Sequence, residues 1–269
     1  MNVEIVVPVR PGDHDRFPVI DDMPGVGGTG LQLTQNEIEC PDGNLSQAYK
    51  DAYLASKADV VIFKHDDFSI RSWYSFAYQL FGLIQGPNGF PVVGVAGARS
   101  YAPERHPAWW MQGTIREGMV DGINRGYVAH PARYGPLYHT LGIDEAFTEF
   151  GPPGPAVVLD GCCFAVVRKL AWVYSFALKY AALSPQHVAD CFDPEFKNHF
   201  YDVAFSLNLS RLFLNHGKGA HAPIYIVHAD VVHQSPGPTG PEWELAGERF
   251  KEKYRVGMPI STDFFKMSR

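Results

Sequence analysis

The sequence predicts an α/β protein with a mostly parallel central sheet flanked by helices. That class follows from three observations. Through the first hundred residues the elements run strand, strand, helix, strand, helix, strand, an alternation that builds a parallel sheet covered by helices. The run Val60–Phe63 is short and apolar, as a buried strand is, and it ends abruptly in His65, Asp66 and Asp67. The chain of 269 residues is 46% hydrophobic and 19% charged, which supplies ample material for a core. Its 26 glycines and 21 prolines mark many loops, the kind that carry sites on a rigid sheet.

The first strand is Val3 to Val9, closed by Pro8-Val9-Arg10. Pro11 to Gly30 is a loop; it holds several glycines but no Gly-x-Gly-x-x-Gly leading into a helix, so no dinucleotide fingerprint is read there. Glu37 to Cys40 reads as the second strand, and Pro41-Asp42-Gly43 as a turn. Asn44 then caps a helix from Leu45 to about Lys57, with Leu45, Ala48, Ala52 and Ala55 at helical spacing. The next strand delivers His65, Asp66 and Asp67 to its C-terminal end. Two ionised carboxylates side by side repel, and a bound cation relieves that repulsion most simply; a solvated turn is the plainer alternative. Ligand crevices of open α/β sheets lie outside those strand ends.

Arg71 to Ile84 reads as a helix whose Trp73, Phe76, Ala77, Leu80, Leu83 and Ile84 face the core, and Val92 to Ala96 as a further strand. Arg99 to His139 differs in character. Five arginines (99, 105, 116, 125, 133) meet only Glu104, Glu117 and Asp121, and Tyr101, Trp109, Trp110, Tyr127, Tyr134 and Tyr138 are interleaved. Such a plate suits a sugar face or a base, or else it is a packed hairpin layer with its tryptophans in the core. Val157 to Arg168 is a strand interrupted by Asp160-Gly161, where a charge is costly unless it faces a cleft or a cation. A helix rich in Trp172, Phe176, Leu178 and Tyr180 follows it. A helix beginning near Asp202 runs to Gly217, Ala222 to His228 is a strand followed by His233, and Glu242 to Tyr254 is an amphipathic helix.

Net charge is −6, from 23 Lys and Arg against 29 Asp and Glu, so the overall field does not draw the chain to nucleic acid or anionic membrane. No run reaches the roughly 18 apolar residues that span a bilayer. The N-terminus has no signal-peptide pattern. Cys40, Cys162, Cys163 and Cys191 match no zinc spacing. A cytoplasmic protein with reduced thiols is expected, in the host-cell cytoplasm if the source is a phage.

Several of these stretches together resemble nucleotide-sugar glycosyltransferases of the GT-A fold, especially the family-2-like enzymes. His65-Asp66-Asp67 matches their metal-binding Asp-x-Asp region, with His where the first Asp often stands. Pro8 and Arg10 match a first strand that ends against the nucleotide, and Asn44 and Gln47 match a helix start beside it; Asn44 is equally read as a plain N-cap. Trp109-Trp110 with Gly113 match a Trp-Trp followed by a Gly. Asp160-Gly161, Ala165 and Arg168 match an Asp-Gly-x-x-x-Ala-x-x-Arg segment on the acceptor side. His199-Phe200-Tyr201-Asp202 match the segment presenting a catalytic carboxylate, although Ala204 stands where a second Asp is common. His233, with His228 as substitute, matches a late metal-binding His.

The resemblance implies one domain over 1–269. Residues 1–98 would bind the nucleotide sugar, 99–235 the acceptor and the catalytic carboxylate, and 236–269 would form a C-terminal loop and helix. It implies Mn²⁺ or Mg²⁺ held by Asp67 with Asp66 and His233, and a donor bound by Pro8, Arg10, Asn44, Gln47, His65 and Asp66, usually a UDP-sugar. Asp202, or Asp160 in second place, would be the general base, and Trp109, Trp110, Arg99 and Tyr201 would meet the acceptor. The acceptor would be a saccharide, a small molecule or a hydroxymethylated pyrimidine in DNA, the substrate of some phage enzymes. The alternatives are a non-catalytic nucleotide-sugar or glycan-binding module, and metal-dependent phosphoester hydrolysis, which would want more ligands for a second metal.

Overall fold

Apolar runs and turn residues set the elements, and the computed structural model of the protein describes residues 1–9, 32–40, 43–86, 89–104, 106–111, 123–131, 145–168, 183–216, 222–234, 240–255 and 260–263. In chain order these residues form β1 (Asn2–Val9), β2 (Gln32–Glu39), α1 (Leu45–Ala55), β3 (Val60–Lys64), β4 (Phe68–Ile70) and α2 (Trp73–Gln85). Then come β5 (Val92–Gly94), β6 (Ala96–Ala98), β7 (Ser100–Tyr101), β8 (Asn124–Pro131), β9 (Glu145–Gly151), β10 (Gly154–Ala156), β11 (Val158–Leu159) and β12 (Cys163–Val167). The chain closes with α3 (Pro185–Ala189), α4 (Tyr201–His216), β13 (Ile224–Ile226), β14 (Val231–His233), α5 (Pro241–Tyr254) and β15 (Ile260–Ser261).

The helices begin where their caps predict. The Asn44 side chain accepts the Gln47 N–H at the start of α1, and the Ser72 hydroxyl accepts the Ser75 N–H at the start of α2. Phe76, Leu80 and Ile84 form the buried stripe of α2. In α5, Pro241 opens the first turn with Glu242 and Glu244, and Lys251 and Lys253 sit in the last, each sign matching its end of the helix dipole.

A seven-stranded sheet in the order β10-β13-β5-β12-β3-β1-β2 forms the centre. The expected parallel pairing holds for β2-β1-β3 and for β5-β13, while β12 runs against both β3 and β5, and β10 against β13. A second sheet, β11-β6-β8-β14-β4 with β9 on β8, was not foreseen. The predicted strand Val92–Ala96 is in fact two, β5 in the first sheet and β6 in the second. The chain breaks beside Gly94, where a Cβ would stand 3.1 Å from Ile226 and 3.2 Å from Leu159. The chain crosses between the sheets again at 65–67, at 160–162 and at 227–230. The first two crossings touch, His65 N–H donating to the Cys162 carbonyl at 3.0 Å. That contact is why β12 is reversed: it starts at the end where β3 stops.

From β1 the chain passes to β2 on one side and returns to β3 on the other. The carboxyl ends of β1 and β3 therefore flank a topological switch point, where ligands of open α/β sheets bind. Under it lies a bed of rings. Tyr49, Phe63, Phe164, Phe192 and Phe205 are buried, with Phe192 and Phe205 stacked at 4.4 Å and Phe63 and Phe164 at 5.1 Å. Each such side chain contributes about 1.5–3 kcal/mol on burial. β15 pairs antiparallel with β7, which returns the chain at 260–261 to the strand after β6. No helix among the described residues is long and apolar enough to cross a membrane.

Candidate functional site

At the end of β3 the chain turns through His65, Asp66 and Asp67 and enters β4. Lys64 holds that turn: its ammonium donates to the carbonyls of His65 at 2.9 Å and Phe68 at 2.7 Å. Asp66 Oδ1 accepts the Asp67 N–H at 2.9 Å, a turn of the Asx kind. β14 pairs antiparallel with β4 and sets His233 opposite Phe68; the Gln234 N–H reaches the Asp67 carbonyl at 2.9 Å. The result brings His65, Asp67 and His233 together, each offering a ligand atom within 4.8 Å of the others. Asp66, expected among the metal ligands, is not in the group; His65 takes its place. The substitute His228 stands elsewhere, with Nε2 at 2.8 Å from the Gly151 carbonyl.

The cluster fits a divalent cation. His233 Nε2 is 3.4 Å and His65 Nδ1 4.0 Å from Asp67 Oδ1. That oxygen is buried, and among the described residues no donor meets it with hydrogen-bond geometry. Ligands about 2.1 Å from one ion stand about 3.0–3.4 Å apart, close to what is seen. Burial, and then the neighbouring His233, push the His65 imidazole down to about 4, so it is neutral at pH 7 and free to ligate. Burial opposes the charge on Asp67, but the imidazoles of His233 and His65 outweigh it and hold the carboxyl below the usual range.

The second cluster forms at the crossing 160–162. Helix α4 docks on the open side of β11 through one stripe of three residues. Asp202 Oδ2 accepts the Gly161 N–H at 2.7 Å, the Ser206 hydroxyl accepts the Leu159 N–H at 3.1 Å, and the Ser210 hydroxyl donates to the Val157 carbonyl at 3.1 Å. Four residues of helix advance about 6.0 Å and two of strand about 6.6 Å, so the two repeats keep step. Asp160 Oδ1 accepts the Cys162 N–H at 3.0 Å in the same turn. Burial, and then the adjacent Asp160, push Asp202 up to about 7 against the backbone N–H groups of Val203 and Gly161. Immediately before α4, Phe200 holds φ at 63°, a region a bulky side chain occupies only under constraint, and its ring packs on Trp243 and Phe250 of α5.

One residue, Gly161, joins the clusters. The Tyr201 hydroxyl lies 3.0 Å from the Gly161 carbonyl and 2.7 Å from His65 Nε2, and the same Gly161 offers its N–H to Asp202. A Cβ on Gly161 would stand 2.1 Å from that hydroxyl, so only glycine fits.

The other expected residues fare unequally. Tyr201 is 3% exposed and works inside the protein, not on an acceptor. Trp109 is fully buried against Trp110 and Phe150, the core alternative, and presents no face to a ligand; Trp110 is half-buried. Arg99 stands 3.8 Å from Asp263 and is partly exposed. Asn44 spends its side chain as the cap of α1 and on the Pro194 carbonyl, and Gln47 donates to Asp51 along the helix. Pro8 is half-buried in β1 opposite Ile38. Arg10, Gly113, Gly217 and the helix expected after Arg168 lie outside the described residues. Sequence reasoning missed Lys64, Ser206 and the role of His65; the spacing 202, 206, 210 was the available signal for the docking stripe.

No family model matches this chain, and no curated protein matches it. Among solved structures, the chain is similar to CMP:2-keto-3-deoxy-manno-octonic acid synthetase complexed with CTP. The identity is 12%, over 94% of this chain and 100% of that one, with a TM-score of 0.35. At that score the likeness carries no argument about this protein.

Proposed function

We propose that this protein is a metal-dependent glycosyltransferase of GT-A type that moves a sugar from a nucleotide diphosphate, expected to be a UDP-sugar, to an acceptor hydroxyl. One observation carries the reading. A His/Asp/His cluster and a half-buried aspartate raised to about 7 are joined through one glycine, Gly161, whose carbonyl meets Tyr201 and whose N–H meets Asp202. The residue matches at 65–67, 160–168 and 199–202 support the same reading, as does the switch point between β1 and β3.

In this reading His65, Asp67 and His233 hold the cation, which when bound neutralises charge on the diphosphate leaving group. The imidazoles favour Mn²⁺ over Ca²⁺. Asp202 accepts the proton of the acceptor hydroxyl as that oxygen bonds to the anomeric carbon and the bond from that carbon to the diphosphate breaks. The Gly161 N–H aims the carboxylate, and Asp160 keeps its proton affinity near neutrality. A single displacement of this kind inverts the anomeric carbon.

The test is release of nucleoside diphosphate from a panel of UDP-sugars, with Mn²⁺ and with chelator. Acceptor arms offer saccharides, small alcohols and hydroxymethylated DNA. Release that is donor-selective and abolished by chelator is the expected result, and the arm that accelerates it names the acceptor. Donor binding without release in any arm would establish a binding module instead, and full release in chelator would remove the metal from the account.

A further inference from the structure

We infer that the Tyr201 hydroxyl fixes the tautomer of His65, leaving its Nδ1 bare and making the cluster a two-imidazole, one-carboxylate site that prefers transition metals to Mg²⁺. The inference rests on the metal site of the reading above, and not on the sugar transfer.

The argument is proton accounting at one hydroxyl. Tyr201 has one O–H proton and two close neighbours, the Gly161 carbonyl at 3.0 Å and His65 Nε2 at 2.7 Å. A carbonyl cannot donate. If the hydroxyl donated to His65, two oxygens would face each other at 3.0 Å with no proton between them. Both contacts are satisfied only when Tyr201 donates to Gly161 and accepts from His65 Nε2–H. A neutral imidazole has one N–H, so Nδ1 is then the lone-pair atom. Nδ1 is also the atom that faces Asp67 Oδ1.

The surroundings lock this arrangement. Tyr201 is 3% exposed, and its ring packs edge-on against Tyr49 at 5.8 Å. The Gly161–Cys162 peptide that carries this carbonyl is held by its own N–H, that of Cys162, on Asp160 at 3.0 Å, and the preceding peptide by the Gly161 N–H on Asp202 at 2.7 Å. His65 is fixed through its backbone, with its N–H on the Cys162 carbonyl and its carbonyl on the Lys64 ammonium at 2.9 Å. An outer partner that accepts the N–H at the far nitrogen of a ligating His is the usual means of orienting it. Tyr201 is thus a positioning residue. The donor set that results, two imidazole nitrogens and one carboxylate oxygen, suits Mn²⁺, Fe²⁺, Co²⁺ or Zn²⁺, whereas Mg²⁺ takes oxygen ligands.

The experiment uses the full chain, free of metal, nucleotide and acceptor, labelled with ¹⁵N-histidine. Long-range ¹H–¹⁵N correlation spectra report the His65 tautomer, and calorimetry reports Mn²⁺ and Mg²⁺ affinity. The wild type is expected to show Nε2–H for His65 and to bind Mn²⁺ well ahead of Mg²⁺. Tyr201→Phe, which keeps the ring, is expected to show mixed tautomers and Mn²⁺ affinity weakened by about 10–100-fold. An Nδ1–H tautomer in the wild type would overturn the inference, and that measurement needs no variant to fold. Equal Mn²⁺ and Mg²⁺ affinity would overturn the metal preference, and unchanged Mn²⁺ affinity in Tyr201→Phe would overturn the role of the hydroxyl. Since no donor sugar is present, failure of sugar transfer elsewhere leaves these results standing, and the reverse holds too.

Discussion

Asp67 and Asp202 stand at the same edge of the protein, and their surroundings drive them in opposite directions. Asp67 lies between two imidazoles, which hold its carboxyl below the usual range despite burial. Asp202 lies in a buried turn beside a second carboxylate, Asp160, and is raised to about 7. The first stays ionised over the whole working range and attracts a cation. The second takes and gives a proton near neutrality. In the proposed reading, two carboxylates pushed apart in this way divide charge stabilisation from base catalysis.

The comparison breaks most completely at Asp67. Asp67→Asn removes the only carboxylate of the cluster among the described residues. Mn²⁺ affinity should fall by more than the roughly 10–100-fold of an outer-partner change, and diphosphate release should vanish with it; calorimetry and a release assay check both. A smaller effect falls on both corners together. Gly161→Ala puts a Cβ 2.1 Å from the Tyr201 hydroxyl and 3.0 Å from Asp202 Cβ. Overpacking of that kind costs about 1–3 kcal/mol, read as a lowered urea midpoint.

Of similar size in stability, but without effect on the metal cluster, is the docking of α4. Ser206→Ala leaves the buried Leu159 N–H without its acceptor, a loss of about 1–3 kcal/mol, with Mn²⁺ binding unchanged. The gentlest probe is pH. Activity should rise through an acid limb near 7 set by Asp202, which burial and then the adjacent Asp160 push up. Asp160→Asn should move that limb to lower pH by removing the like charge. Stability runs the other way. Folded Asp202 keeps its proton up to about 7 where an ordinary aspartate loses it near 3.8. Its contribution is therefore complete below 3.8 and is lost as pH rises to about 7. Asp202→Asn should flatten that slope in urea titrations.

The corners were unequally legible in the sequence. A short apolar run ending in His65-Asp66-Asp67 announced β3 and its site, and Asp-Gly inside an apolar stretch announced the turn at 160–161, because a charge there needs a cleft. Asp202 was legible as a first-turn acid. What failed to show was anything decided by a distant partner. Period-two patterns mark strands but not the sheet each one joins, so Val92–Ala96 looked continuous where it crosses between sheets. Asp66 and Asp67 are neighbours in sequence, and only the register of β14 on β4 selects Asp67. Trp109 has the composition of a stacking plate and the position of a core residue. Tyr201, beside Asp202 in the chain, looked like an acceptor contact until the Gly161 carbonyl and His65 were seen to hold its hydroxyl.

The most direct test of this division of labour is Mn²⁺ affinity and diphosphate release, measured side by side on Asp202→Asn. The account predicts wild-type Mn²⁺ affinity with release slowed by about 10²–10⁴-fold, the range of a lost general base. Release at the wild-type rate, or loss of Mn²⁺ binding along with activity, would contradict it.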